Sequence, residues 1–100
     1  MKIINEALLN DFRRAPCCEV CFRKNRSGLQ PHHYRAKGIG GAWRMDVRIN
    51  LIALCLFCHR KAHDGNVSRK RILEIIAARE GRTPEEVTAE LDRLRQQSSK

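Results

Sequence analysis

Aromatic side chains are scarce in this chain: Phe12, Phe22, Tyr34, Trp43 and Phe57 are all that its 100 residues contain. A chain of this size buries only about 60–70% of the surface its unfolded form exposes. A core so poor in rings needs a staple, either disulfides or a bound metal. Long apolar runs are also missing. The longest, LIALCLFC, is strand-sized and falls short of the ~18 residues of a membrane span, so no membrane partner is expected. The opening MKIINEALLNDFRR has no long apolar segment and no small-residue cleavage site, so no export signal is expected. Acid is scarce where base is abundant. Residues 13–71 hold fourteen Lys or Arg against three acids, whereas 1–12 hold one against two and 72–100 hold five against six. The five cysteines are an odd number, which disfavours a disulfide framework. Together these features predict an intracellular protein with reduced thiols, in which paired cysteines point to metal.

The basic charge falls on the segment that holds every Cys and His. That distribution fits an electrostatic footprint for a polyanion. A merely solubilising surface would have no reason to concentrate there.

Local signals outline the elements. NEALLNDFRRA, residues 5–15, spaces apolar positions like one helix face, with Asn5 as cap and Pro16 as stop. CCEVCFRKNRSG reads as a knuckle with a polar loop. LQPHHYRAKG begins as a strand, and Pro31 marks an edge or a bend. GIGGA, residues 38–42, is a loop. WRMDVRINLIALC is expected to supply a second strand, and HRKAHDG a short helix closed by Gly65. SRKRILEIIAAREG predicts a helix from Ser68 to Gly81. In TPEEVTAELDRLRQQ, Thr83 and Glu86 form a capping box and Val87, Leu91 and Leu94 an apolar stripe. The terminal SSK is read as frayed. Three parts are expected: an N-terminal helix over 1–16, a core over 17–66 and a helical extension over 67–100.

Cys18-x-x-Cys21 and Cys55-x-x-Cys58 are two thiolate pairs 33 residues apart. Zinc takes four tetrahedral N or S ligands, and two such turns supply four sulfurs. The metal would clamp the base of the intervening loop. Cys17 has the wrong spacing and is read as a bystander. The four histidines fall as an adjacent pair, His32 and His33, and an i,i+4 pair, His59 and His63. The latter two share one face of a helix and can bind one cation together. One of His32 and His33 can complete that site, leaving the other beside the metal as a general base. CLFCH also fits the attachment pattern of c-type haem, but that reading leaves the second CxxC unexplained. A zinc deaminase would need an H-x-E partnered by P-C-x-x-C, and no Glu stands two residues after either His of the pair.

Taken in order, CEVC, PHHY, the Gly-rich loop, Asn50 in INLIAL, and CLFCHRKAH resemble the HNH nucleases over residues 18–63. The resemblance implies an α+β fold: a small ββα-metal domain with a four-cysteine structural zinc and flanking α-helices. It implies His33 as the general base acting on water and Asn50 as the residue that braces its loop. His32, His59 and His63 would hold one catalytic divalent ion, whether Mg²⁺, Mn²⁺, Ni²⁺ or Zn²⁺. His32 stands where many members have Asp, Tyr34 where a small aliphatic is usual, and Arg44, Asp46 and Arg48 replace an acidic linker. Tyr34 is expected to pack under the hairpin. Arg35, Lys37, Arg44, Arg48, Arg60, Lys61, Arg69, Lys70 and Arg71 are candidate phosphate contacts. No element resembles a dedicated recognition helix, so backbone-dominated binding of double-stranded DNA with weak sequence preference is expected. The implied setting is the cytoplasm of a bacterium or a phage-infected cell. One active site per chain implies nicking by a monomer, or double-strand cutting by a homodimer. The rival is a zinc-stabilised nucleic-acid-binding module without catalysis.

Overall fold

A computed structural model describes residues 2–97; the SSK tail lies outside the described residues. Helix α1 spans Glu6–Arg13, and its cap is local: Asn5 Oδ1 accepts from the Leu8 amide at 3.0 Å. The helix stops two residues before the sequence signal suggested. The Asn25 side chain donates to the carbonyls of Arg13 and Ala15, satisfying acceptors that a longer helix would have used.

The knuckle after α1 carries Cys18 and Cys21. It is closed by Cys18 N–H donating to Arg23 O at 2.9 Å and Phe22 N–H to Cys18 O at 3.0 Å. Strand β1, Gln30–His33, then pairs antiparallel with β2, Leu51–Leu54, in the register Gln30 with Leu54 and His33 with Leu51. Pro31 faces Ala53. The N–H and C=O of Ala53 turn instead to Glu19, by its carboxylate at 2.7 Å and its amide at 3.0 Å. A residue without an N–H is tolerated at a position that owes the ladder no donor. All four residues of β2 are buried, and Leu51, Ile52 and Leu54 each contribute about 1.5–3 kcal/mol of burial.

The second strand is shorter than the sequence suggested. Residues 44–46 are paired, but with the N-terminus: Ile3 N–H donates to Arg44 O and Asp46 N–H to Ile3 O, both at 2.8 Å. Arg48–Asn50 then form a 3₁₀ turn. Competition from Ile3, together with the inward turn of Asn50, takes residues 43–50 out of the hairpin. Gly38 is required in the loop before them. Its φ of +74° suits glycine, and a Cβ there would meet Trp43 Cδ1 at 2.6 Å.

Helix α2, Leu56–His63, starts earlier than expected because Cys55 caps it, its Sγ accepting from Cys58 N–H at 3.5 Å. Helix α3, Arg69–Glu80, is capped by Ser68 Oγ and ends at Gly81 in the left-handed conformation. Helix α4, Pro84–Gln97, opens on the expected capping box: Glu86 Oε1 accepts from Thr83 N–H at 2.9 Å, and Thr83 Oγ1 accepts from Glu86 N–H at 3.1 Å. A single buried cluster runs from Leu9 and Phe12 through β2 to Ile76, Val87 and Leu91. Arg79 ties α3 to the rest, donating to the Glu19 carboxylate and to the carbonyls of Leu51 and Arg48. The result is a mixed α and β domain with a two-stranded sheet, as the residues suggested. No described helix is long and apolar enough to cross a membrane.

Candidate metal centres and hydrolytic site

Two ligand clusters form, each drawing on residues at or in helix α2. In the first, Sγ atoms of Cys18, Cys21, Cys55 and Cys58 lie within 4.8 Å of one another. Sulfurs at about 2.3 Å from a tetrahedral zinc are about 3.8 Å apart, and Cys21 and Cys55 stand at 3.7 Å. The donor set therefore fits zinc. Burial works to raise the Cys18 thiol, but backbone N–H groups of Cys21, Cys55 and Val20 outweigh it and bring it down to about 7. Burial pushes the Cys58 thiol up, a cost that a bound dication removes. Cys17 stands outside this cluster, bridged to Lys24.

In the second cluster, nitrogens of His32, His59 and His63 lie within 4.8 Å of one another. His32 is carried on β1 and the other two on α2. The Nε2 atoms of His59 and His63 are 3.1 Å apart, matching the roughly 3.0–3.4 Å between nitrogens that share a metal at about 2.1 Å. Gln30 supplies the supporting detail. Its Oε1, an acceptor only, is hydrogen-bonded to His59 Nδ1, so that nitrogen carries the proton and Nε2 presents a lone pair. Burial, then the neighbouring charges of His59, His63, His33 and Arg69, hold His32 down to about 4. Neutral imidazoles are the form that binds a cation.

His33, on the other side of β1, engages Asp46 through Nε2 at 2.7 Å from Oδ1. Asp46 is 1% exposed and also accepts from Asn5 N–H and from Nε and Nη2 of Arg44. Its burial raises the carboxyl, but the Arg44 and His33 hydrogen bonds outweigh that and hold it at about 2. With Nε2–H donating to this carboxylate, Nδ1 of His33 is the free acceptor. Asn50 is fully buried. Its Oδ1 accepts from Arg35 N–H at 2.8 Å, and its Nδ2 donates to Met45 O at 3.0 Å and Arg35 O at 3.3 Å. It thus fastens the segment after His33 to the segment that carries Asp46. A cavity of about 790 Å³ is lined by His32, His33, His59 and His63 together, with Tyr34, Lys37 and Arg69 also on its wall.

The candidate phosphate contacts divide into two groups. Arg35 is paired with Asp92, Arg44 with Asp46 and Glu6, and Arg48 with Glu80. Arg69 donates to Tyr34 O and lies over its ring, 4.6 Å from the centroid, while Tyr34 packs against the core. Lys37, Arg60, Lys61, Lys70 and Arg71 are exposed.

Two residues at the site escaped the sequence reading. Asp46 is the lone acid between Glu19 and Asp64, a signal that a buried partner for a histidine was present. Gln30 stands two residues before His32, hence on the same strand face. With the geometry in place, the comparisons can be set beside it. Residues 18–65 match the family model described as HNH endonuclease. No curated protein and no solved structure matches the chain.

Proposed function

We propose, from the premise that residues 18–65 are an HNH endonuclease domain, that this chain is a metal-dependent endonuclease. It hydrolyses phosphodiester bonds of double-stranded DNA with weak sequence preference. One observation carries the reading: His33, its Nε2 engaged by a buried carboxylate, opens onto the same cavity as the triad of His32, His59 and His63.

In the proposed reaction His33 takes a proton from water at Nδ1, and the water oxygen attacks the scissile phosphorus. Asp46 holds the ring in the productive tautomer and stabilises the imidazolium that forms. Asn50 keeps the His33 segment fixed against its neighbour. His32, His59 and His63 would hold the divalent ion, which when bound supplies positive charge for the phosphoanion and the leaving 3′ oxygen. The products would carry a 5′-phosphate and a 3′-hydroxyl. The four cysteines would hold a separate, structural zinc. Lys37 and Arg69, on the cavity wall, would contact flanking phosphates.

The test is plasmid nicking with added Mg²⁺, Mn²⁺ or Ni²⁺ by the wild type and by His33→Ala. Loss of about 100-fold or more in the variant, with zinc content unchanged, is expected. Equal nicking by the two would overturn the mechanism through His33, and no nicking by the wild type would leave only a zinc-stabilised nucleic-acid-binding module.

A further inference from the structure

A second groove lies beside the histidine cavity, on the knuckle side of β1. It has a volume of about 660 Å³ and is bordered by Arg23, Lys24, Arg26, Gln30, Leu56 and Phe57. Gln30 lines this groove while its side chain holds His59, which lines the histidine cavity. Arg23, Lys24 and Arg26 are exposed and have no acidic partner among the described residues. Arg23 is nonetheless oriented, its guanidinium 5.2 Å from the centroid of the Phe57 ring. Phe57 is 61% exposed and neighbouring Phe22 is 73% exposed. Phe22 also has a φ of +61°, a conformation that costs a side-chain residue roughly 1–2 kcal/mol. Cations without counterions, an aromatic platform and the hydrogen-bonded link through Gln30 to the histidine cavity together fit a phosphate backbone.

We propose that this groove receives the DNA backbone on one side of the scissile phosphate, with Arg23, Lys24 and Arg26 contacting phosphates. The inference rests on the nuclease reading, for it names where the duplex extends beyond that site. Its rival is internal: the three cations would only offset the negative charge of four thiolates around a dication.

The experiment measures binding of a 30-bp duplex by the whole zinc-loaded chain, by fluorescence anisotropy across a salt series without added divalent ion. Wild type is compared with Arg23→Gln/Lys24→Gln/Arg26→Gln. The slope of log K against log salt should become shallower by about 2–3, near one per lost phosphate contact. Affinity at low salt should fall about tenfold or more, and in cleavage KM should rise while kcat at saturating DNA is kept. An unchanged slope overturns the proposal, as does faster zinc release with an unchanged slope. If the triple variant does not fold, Arg26→Glu alone tests the same point, since its side chain is exposed. The two readings fail separately. A wild type that cleaves, paired with an unchanged slope, removes the groove alone. A wild type that never cleaves, paired with the shallower slope, removes the nuclease and keeps the groove as a DNA-binding surface.

Discussion

Replacing Asp46 by Asn changes almost no volume, so its effects isolate charge and proton placement. Oδ2 accepts three donors: Asn5 N–H at 2.9 Å and Arg44 Nε and Nη2 at 3.0 and 2.7 Å. Oδ1 faces His33 Nε2 and shares Arg44 Nε at 3.1 Å. An amide has one acceptor oxygen; Arg44 Nε reaches either position, so Asn5 N–H and Arg44 Nη2 against His33 alone decide that it sits in the Oδ2 position. The NH₂ group then faces His33, whose proton must move to Nδ1. The ring loses the free nitrogen that would act as base. General-base catalysis contributes about 10²–10⁴ in rate, so kcat for nicking should fall at least about 100-fold, with zinc content and KM for DNA little changed. Neutralising one partner of a buried pair costs about 3–5 kcal/mol, and Arg44 keeps Glu6, so about 3 kcal/mol is expected. For a chain this long that lowers Tm by roughly 10–25 °C, and cleavage should be assayed well below the variant's melting range. A folded Asp46→Asn chain that nicks at the wild-type rate would refute both the tautomer argument and the role of His33.

The same carboxyl sets an acid limb. Its folded value of about 2 lies below the ordinary carboxyl value of 3.8, so its stabilisation is complete above pH ~4 and is lost as pH falls from there toward 2. The difference corresponds to about 2 kcal/mol, read as the extra acid-induced loss of denaturation free energy in wild type over Asp46→Asn. Cys58→Ser should release zinc and unfold the domain, because structural zinc contributes on the order of 10 kcal/mol in small domains; zinc per chain and far-UV circular dichroism would show it. His63→Ala should stay folded with its zinc and lose cleavage. Gln30→Leu removes the acceptor at His59 Nδ1 and should weaken Mn²⁺ binding at the histidine site about 10–100-fold, measured by calorimetric titration with zinc content constant. Gly38→Ala should lower stability by about 1–2 kcal/mol through its left-handed φ and the Trp43 contact, whereas thermal melting of Gly40→Ala, with nothing within 4 Å, should show only the backbone part.

What could be read from the residues was whatever short spacing encodes. Two CxxC turns, an i,i+4 His pair and an adjacent His pair carry their geometry within a few positions, and so do the caps at Asn5, Ser68 and Thr83. Gln30 and Asp46 lie outside that range. Each matters through a histidine brought to it by the hairpin or by closure of the chain on Ile3, and neither belongs to a local pattern. Residues 43–50 show why periodicity alone failed. Trp43, Met45, Val47 and Ile49 alternate with polar residues as in a half-buried strand. Yet Met45 and Asp46 are both buried, because this segment is packed between the N-terminus and Asn50 rather than laid on the sheet.

Charge illustrates the same limit and shows how structure sharpens it. The excess of fourteen bases over three acids in residues 13–71 overstates the charge free to meet a polyanion. Glu6 from before that segment, and Glu80 and Asp92 from after it, return in the folded chain to Arg44, Arg48 and Arg35. The flanking helices thus neutralise arginines that brace the core and leave other cations without an acidic partner among the described residues. Arg23, Lys24 and Arg26 line one groove, and Lys37 and Arg69 line the histidine cavity beside it. Five of the remaining cations thus line the two cavities that flank Gln30 and the candidate ligand histidines. On the proposed reading a phosphate backbone would be attracted to these two cavities, while the buried acid, Asp46, faces His33.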